Sequence, residues 1–250
     1  MTEETSTPSP RVEVFESPDE LATSVAGAFL RMMVVRQAAD AVVQVGLTGG
    51  TIADLIHREI ARLAPGSDVD WSRIDFFWGD ERFVPAASDD RNSKKAREDF
   101  LDAVGVDPAR VYEIPSTDDA ESVDAAATAY GEIIRAVGQG AFDLLMLGMG
   151  PDGHIASLFP GLPQLDADDT IAVPVTGSPK PPPERVSLTF PTLNRSDVVW
   201  FVVTGVDKAP AVGRALAEPA PDAHEIPATG VRGRLETIWF LDREAASEVR

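Results

Sequence analysis

The sequence predicts an α/β fold: a single doubly wound, mainly parallel sheet flanked by helices. Three observations carry that reading. Apolar runs of strand length, VVQVGL at 42–47, LLML at 144–147 and VVWFVV at 198–203, lack the polar face of a half-exposed strand and suit strands covered on both sides. Helical patterns alternate with these runs along most of the chain. Several of the runs stop at short Gly-rich turns that lead straight into the next segment.

Residues 1–10 read as a frayed polar tail, which leaves 11–250 as one expected domain. Arg11 to Phe15, with Val12 and Phe15 among charged residues, reads as a short edge strand. Ser17-Pro18-Asp19-Glu20 is a helix start, with Ser17 as cap, Pro18 at the first helical position and Glu20 closing a capping box. That helix is expected to reach about Gln37. Ala41 to Leu47 is a buried strand and Ile52 to Leu63 a helix. Arg73 to Gly79 is the next strand, with Asp75 its only acid, and a helix is expected from about Asn92 to Val104. Val111 to Ile114 reads as a short strand, and Asp118 to Val137 as an Ala-rich helix stopped by Gly138 and Gly140. Phe142 to Leu147 follows as a strand. After Gly161 a Pro-rich acidic segment, with Pro179 and Pro181 to Pro183, reads as a surface loop. Arg185 to Phe190, Val198 to Thr204 and Glu236 to Leu241 read as strands. Pro227 to Gly233 reads as a loop and Asp242 onward as a terminal helix.

The loops that follow the strands hold the chemistry, and in an open α/β sheet they share one edge. Gly46-Leu47-Thr48-Gly49-Gly50-Thr51 joins a strand to a helix start, where free backbone N–H groups and the positive helix end favour an anion. It lacks the lysine of a P-loop and the glycine spacing of a dinucleotide fingerprint. Asp80, Glu81 and Arg82 stand in succession at the end of another strand, either for function or to pair with one another. Gly148-Met149-Gly150-Pro151-Asp152-Gly153-His154 closes the 142–147 strand. His154 there could act as a general base, with Asp152 near enough to orient it; the bland alternative is a helix-capping imidazole. Lys208, in Thr204-Gly205-Val206-Asp207-Lys208, sits against the dipole of the helix it opens, which suits either a bound anion or plain solvation. His57, between Leu55-Ile56 and Arg58-Glu59, reads as solvated, and His224 as part of an acidic loop.

Composition narrows the classes. Asp and Glu total 41 against 22 Lys and Arg, a net charge of −19, which argues against nucleic acid and anionic membranes as partners. Only four residues are lysine, at 94, 95, 180 and 208, and none is cysteine. Disulfides, thiolate metal sites and cysteine nucleophiles are therefore excluded. No apolar run approaches the ~18 residues of a membrane span, and residues 1–10 lack the marks of a secretory signal. A cytoplasmic location is the expectation.

Five stretches together, GLTGGT at 46–51, WGDERFVP at 78–85, LGMGPDGHIASLFPG at 147–161, RVSLT at 185–189 and VTGVDKA at 203–209, resemble the 6-phosphogluconolactonases. The likeness runs from about Val12 to Asp242. It implies a Rossmann-like fold, 6-phospho-D-glucono-1,5-lactone as substrate in the oxidative pentose phosphate pathway, no obligatory cofactor and no metal. A monomer or weak homodimer is expected. The resemblance places the substrate phosphate on Thr48, Gly49, Gly50 and Thr51, with Lys208 and then Arg185 as cations. It makes His154 the base for water, oriented by Asp152 or Asp80, and has Arg82 either stabilise charge on the carbonyl oxygen or hold the substrate in place. The related glucosamine-6-phosphate deaminases carry Asp-Glu-Tyr where this chain has Asp80-Glu81-Arg82, and a catalytic Glu where it has Phe159. One departure from the lactonase pattern is Arg91, which stands before Asn92 in place of a Ser. A deaminase-like isomerase and a non-catalytic sugar-phosphate sensor are the competing expectations.

Overall fold

The computed structural model describes residues 9–39, 41–138 and 141–249. The tail expected at 1–10 falls almost wholly outside the described residues, as does Gly140.

The first strand, β1 (Arg11–Phe15), leads into helix α1 (Pro18–Gln37). The Ser17 side chain accepts from the Glu20 backbone N–H, as expected of a cap, and the Glu20 carboxylate accepts from the N–H of Glu16 rather than Ser17. Next come β2 (Val43–Leu47), α2 (Thr51–Leu63), β3 (Ile74–Trp78) and the short β4 (Asp80–Arg82). Helix α3 (Asn92–Ala96) runs into a π-helical turn, Arg97–Leu101. Then follow α4 (Val123–Val137), β5 (Leu144–Leu147), β6 (Ala172–Val175) and β7 (Arg185–Leu188). The chain ends with α5 (Phe190–Leu193), β8 (Val198–Val203), α6 (Ala209–Ala215) and β9 (Glu236–Asp242).

Six strands form one sheet in the order β1-β9-β8-β5-β2-β3, and every neighbouring pair is parallel. The connection from β2 goes outward to β3, whereas β5 returns on the other side of β2. The strand order therefore reverses between β2 and β5, and the loops leaving those two strands diverge around a crevice. All residues of β5 and β8 are buried, which explains their unbroken apolar sequences.

A second, three-stranded antiparallel sheet, β4-β7-β6, is an addition to the expected plan. The chain turns out of the parallel sheet at Gly79, whose N–H donates to the Leu47 carbonyl at 3.0 Å while its own carbonyl accepts from Leu188 at 2.9 Å. Helix α4 packs on β6 and β7, and α1 on α2. One hydrophobic cluster joins both sheets, including Trp78, Leu147, Val186, Leu188 and Phe201.

Tyr130 of α4 secures the exit from β3. Its hydroxyl accepts from the Trp78 N–H and donates to the Trp78 carbonyl, both at 2.8 Å, in a fully buried setting. Tyr130→Phe leaves both backbone groups without a partner, so a loss of about 1–3 kcal/mol is expected. Urea unfolding with an unchanged m value measures it.

Four boundary expectations need correction. Val111 makes a single bridge to Phe76, so 111–114 is not a strand. Helix α4 starts at Val123 rather than Asp118, because Ser122 caps it while Asp119 is held in a turn by Ser116. Residues after Asp242 form turns, with the Asp242 carboxylate accepting from the Ala245 N–H at 2.8 Å. The segment read as loop after Gly161 contains β6, an outer strand of the small sheet. The edge position tolerates Pro174. His57 is also not solvated: it is 1% exposed, on the α2 face formed by Ile52, Ala53, Ile56 and Ile60.

Candidate active site

The crevice between β2 and β5 opens into a cleft of about 370 Å³. Thr48, Gly49, Gly50, Thr51, Asp80, Arg82, His154, Arg185 and Lys208 all line it. Asp152 does not line the cleft but holds His154 from behind.

On one wall lies the start of α2. Gly50 occupies the cap position and offers no side chain to the first turn, so the leading N–H groups of this 13-residue helix are not satisfied by a cap. Gly49 has to be glycine, since a Cβ there would lie 1.9 Å from the Asn92 Oδ1. Asn92 in turn donates to the Asp80 carbonyl at 3.2 Å. The Thr48 hydroxyl accepts from the Gly148 N–H at 3.2 Å, tying the β2 loop to the β5 loop.

On the opposite wall, the His154 Nδ1–H donates to the Asp152 carboxylate in a short contact. That bond fixes the ring, and in the neutral imidazole it leaves the Nε2 lone pair free. Burial pushes the Asp152 carboxyl up, but the hydrogen bond and charge of His154 outweigh it and hold the group at about 2. Gly150 allows this approach: a Cβ there would lie 2.0 Å from the imidazole. The Phe159 ring packs against the imidazole at a tilt of 33°, centroids 4.4 Å apart, and the Arg185 guanidinium lies 5.7 Å from the Phe159 centroid.

Strand β4 sorts the three consecutive charges by its two-residue alternation. Asp80 and Arg82 line the cleft, whereas Glu81 is fully buried on the other side. Asp80 accepts from the Ser157 hydroxyl at 2.6 Å, so its recorded partner is Ser157, and Asp152 is the carboxylate on His154. Arg82 donates through Nη1 to the Asp90 carbonyl, while its buried Nε–H has no partner among the described residues. An orphaned donor of this kind is costly unless a ligand takes it.

Arg91 stays out of the cleft. It is 1% exposed and donates to the Ile114 carbonyl at 2.7 Å. Arg185 spends Nε and Nη2 on the carbonyls of Lys180, Pro181 and Pro182, and so shapes the loop that carries Lys180. The charge opposite Lys208 is supplied by Asp207, its immediate neighbour, in a short ion pair. The helix-dipole conflict thus has an internal partner as well as the cleft.

Lys180 lines the cleft and went unassigned from the sequence. A signal existed, because two of the four lysines in the whole chain meet at this cleft. Burial pushes its ammonium below the ordinary value, Asp152 opposes this, and Lys208 and Arg185 add to it. A bound anion would relieve that crowding of cations. Lys180→Ala and Lys208→Ala are each expected to weaken inorganic phosphate binding roughly tenfold, about 1.4 kcal/mol. Added salt should narrow the gap to wild type. Calorimetric titration across ionic strengths measures both effects, and unchanged phosphate affinity would move the anion elsewhere.

Residues 16–239 match the family described as glucosamine-6-phosphate isomerases/6-phosphogluconolactonase. The chain belongs to that family. A 6-phosphogluconolactonase from Streptomyces coelicolor is 38% identical over 251 residues, covering 96% of this chain and 95% of that protein. One from Mycobacterium tuberculosis is 38% identical over 245 residues, with 95% and 98% covered. Among solved structures, the 6-phosphogluconolactonase of Thermotoga maritima superposes with a TM-score of 0.81 at 29% identity, covering 94% of this chain and all of that one. Family membership matches the resemblance read from the five motifs, and the six-stranded parallel sheet is the fold they share. No described helix is long and apolar enough to cross a membrane.

Proposed function

We propose that the protein hydrolyses 6-phospho-D-glucono-1,5-lactone to 6-phospho-D-gluconate. The observation that carries this reading is the meeting, in one cleft, of an Asp-held imidazole with a free Nε2 and an uncapped helix start flanked by two lysines. The family, and relatives named 6-phosphogluconolactonase at 38% identity, support it.

The substrate phosphate lies on the Thr48–Thr51 turn, with Lys208 and Lys180 as cations. His154 Nε2 takes a proton from water as the water oxygen attacks the lactone carbonyl carbon. Negative charge gathers on the carbonyl oxygen, and Arg82, which lines the cleft, stabilises it. The C–O bond to the ring oxygen then breaks, and the proton held by His154 passes to that oxygen. Asp152 balances the imidazolium charge while it lasts. Ser157 is no nucleophile here, since its buried hydroxyl donates to Asp80. Phe159, packed against His154, cannot carry a proton, so the second acid–base group that deamination and aldose–ketose isomerisation need is missing from that position.

The test is an assay on freshly made lactone, corrected for spontaneous hydrolysis, run beside an ammonia-release assay on glucosamine 6-phosphate. Accelerated hydrolysis without ammonia release is expected. Ammonia release at a rate comparable to hydrolysis would promote the deaminase reading. Phosphate binding with neither activity would promote a sensor.

A further inference from the structure

Away from the cleft, His57 presents an unexplained buried group. Its side chain is 1% exposed, and neither ring nitrogen has a hydrogen-bond partner among the described residues. Two carboxylates stand beside it, Asp54 one helical turn back on α2 and Asp99 on the π-helical turn. One ligand atom from each of the three lies within 4.8 Å of the others.

We propose that His57, Asp54 and Asp99 form a site for a divalent transition-metal ion of the zinc class, remote from the catalytic cleft. The donor set favours that class. An imidazole nitrogen with two carboxylate oxygens suits Zn²⁺, Mn²⁺ or Co²⁺ better than Mg²⁺ or Ca²⁺, which prefer oxygen throughout. A metal would give the orphaned imidazole the partner it lacks. Phe100 packs against the ring at a tilt of 32°, with centroids 4.8 Å apart.

The local charges are consistent with an ion that binds and leaves. The cations now beside the acids have partly exposed side chains. Arg58 donates to both Asp99 carboxylate oxygens, at 3.2 and 3.3 Å, and Lys95 lies 3.7 Å from Asp54. Either can swing into solvent when a divalent ion takes over the charge. Asp99 projects from a π-helical turn, a distortion often found where a side chain is aimed at a ligand.

The site also has leverage on the cleft. It clips α2 to the segment that begins at Asn92. His57 lies six residues along α2 from Thr51, about 9 Å at 1.5 Å per residue, and Asn92 packs on Gly49. Metal occupancy would stiffen the two elements that together form the anion turn.

The test uses the purified, chelator-treated protein with Zn²⁺ or Co²⁺ alone. Equilibrium dialysis is expected to give one equivalent of Zn²⁺, and Co²⁺ a visible d–d absorption band. A hundredfold excess over the dissociation constant should raise Tm by roughly 5–10 °C. Asp99→Asn, on a partly exposed residue that leaves the core intact, and His57→Phe should each abolish the stoichiometric ion. His224→Gln, which removes the imidazole between Asp166 and Asp222, should keep it. Absence of stoichiometric binding to the wild type, or its survival in both Asp99→Asn and His57→Phe, overturns the proposal. The outcome does not depend on the lactonase reading.

Discussion

His154→Ala is expected to lower kcat for lactone hydrolysis by about 10²–10⁴-fold, the usual contribution of a positioned general base. KM should change little, because the anion turn and the two lysines remain, and loss of kcat alone marks an interaction made in the transition state. Asp152→Asn should give a smaller loss of the same kind. The His154 ring would keep its hydrogen-bond partner but lose the charge that balances the imidazolium. Because Asp152 sits at about 2, it stays ionised throughout the working range. The sign follows from that depression. The ionised Asp152 contributes stability that is fully present above the ordinary carboxylate value of 3.8 and is lost as pH falls through about 2. Loss of activity between pH 4 and 7 therefore cannot come from protonating Asp152. Steady-state kinetics of both variants, with circular dichroism to verify folding, decide the matter. Turnover by His154→Ala close to wild type would remove His154 from the mechanism.

Much of this site was legible because a parallel sheet writes itself plainly into sequence. β5 and β8 are buried on both faces, so their residues are apolar throughout, and each ends where the backbone must turn at Gly148 or Gly205. The order of loops along one sheet edge then follows from topology. What escaped was whatever depended on the third dimension. RVSL of β7 has the look of a buried strand, but nothing in it announces an antiparallel pairing with β4 outside the main sheet. β6 was hidden by Pro174, which is acceptable only on an edge. Lys180 sits in a Pro-rich loop that looks solvated until Arg185 is seen gripping three of its carbonyls.

His57 is a different case, because the signal was present. Its neighbours Arg58 and Glu59 suggest solvent, but a 3.6-residue period places 57 with 53, 56 and 60 on the face that packs inward. Arg58 and Glu59 follow His57 in sequence but turn away from that face. The Asp80-Glu81-Arg82 run makes the same point for a strand, where period two puts the middle residue opposite its neighbours. Reading the triplet as one functional cluster hides that Glu81 belongs to the frame beneath the site.

That frame supports the second large expectation, that Glu81→Gln destabilises the fold by about 3–5 kcal/mol, the cost of breaking a buried charge pair from one side. Glu81 is fully buried and its Oε1 accepts from the N–H groups of Arg82 at 2.9 Å and Asn92 at 2.8 Å. Its Oε2 accepts from Ser93 at 2.8 Å and lies 3.8 Å from the Arg91 guanidinium. Burial leaves this carboxyl raised, although Arg91 and the three backbone donors pull against it. Its two oxygens cap α3 and face Arg91 at once. An amide in its place retains one acceptor oxygen but presents N–H to donors, and leaves Arg91 with Glu113, at 3.5 Å, as its ion-pair partner among the described residues. Total stabilities of roughly 5–15 kcal/mol make such a loss severe, and Tm should fall by roughly 6–20 °C. Adding Arg91→Met should recover only part of it, because the backbone donors remain unpaired. Below its own melting point the single variant should also bind phosphate more weakly, since Asn92 would no longer be pinned against Gly49. Urea unfolding of both variants, paired with phosphate titration, tests each step. A loss under about 1 kcal/mol would mean that water satisfies these donors, and the frame beneath Asp80 and Arg82 would have to be sought elsewhere.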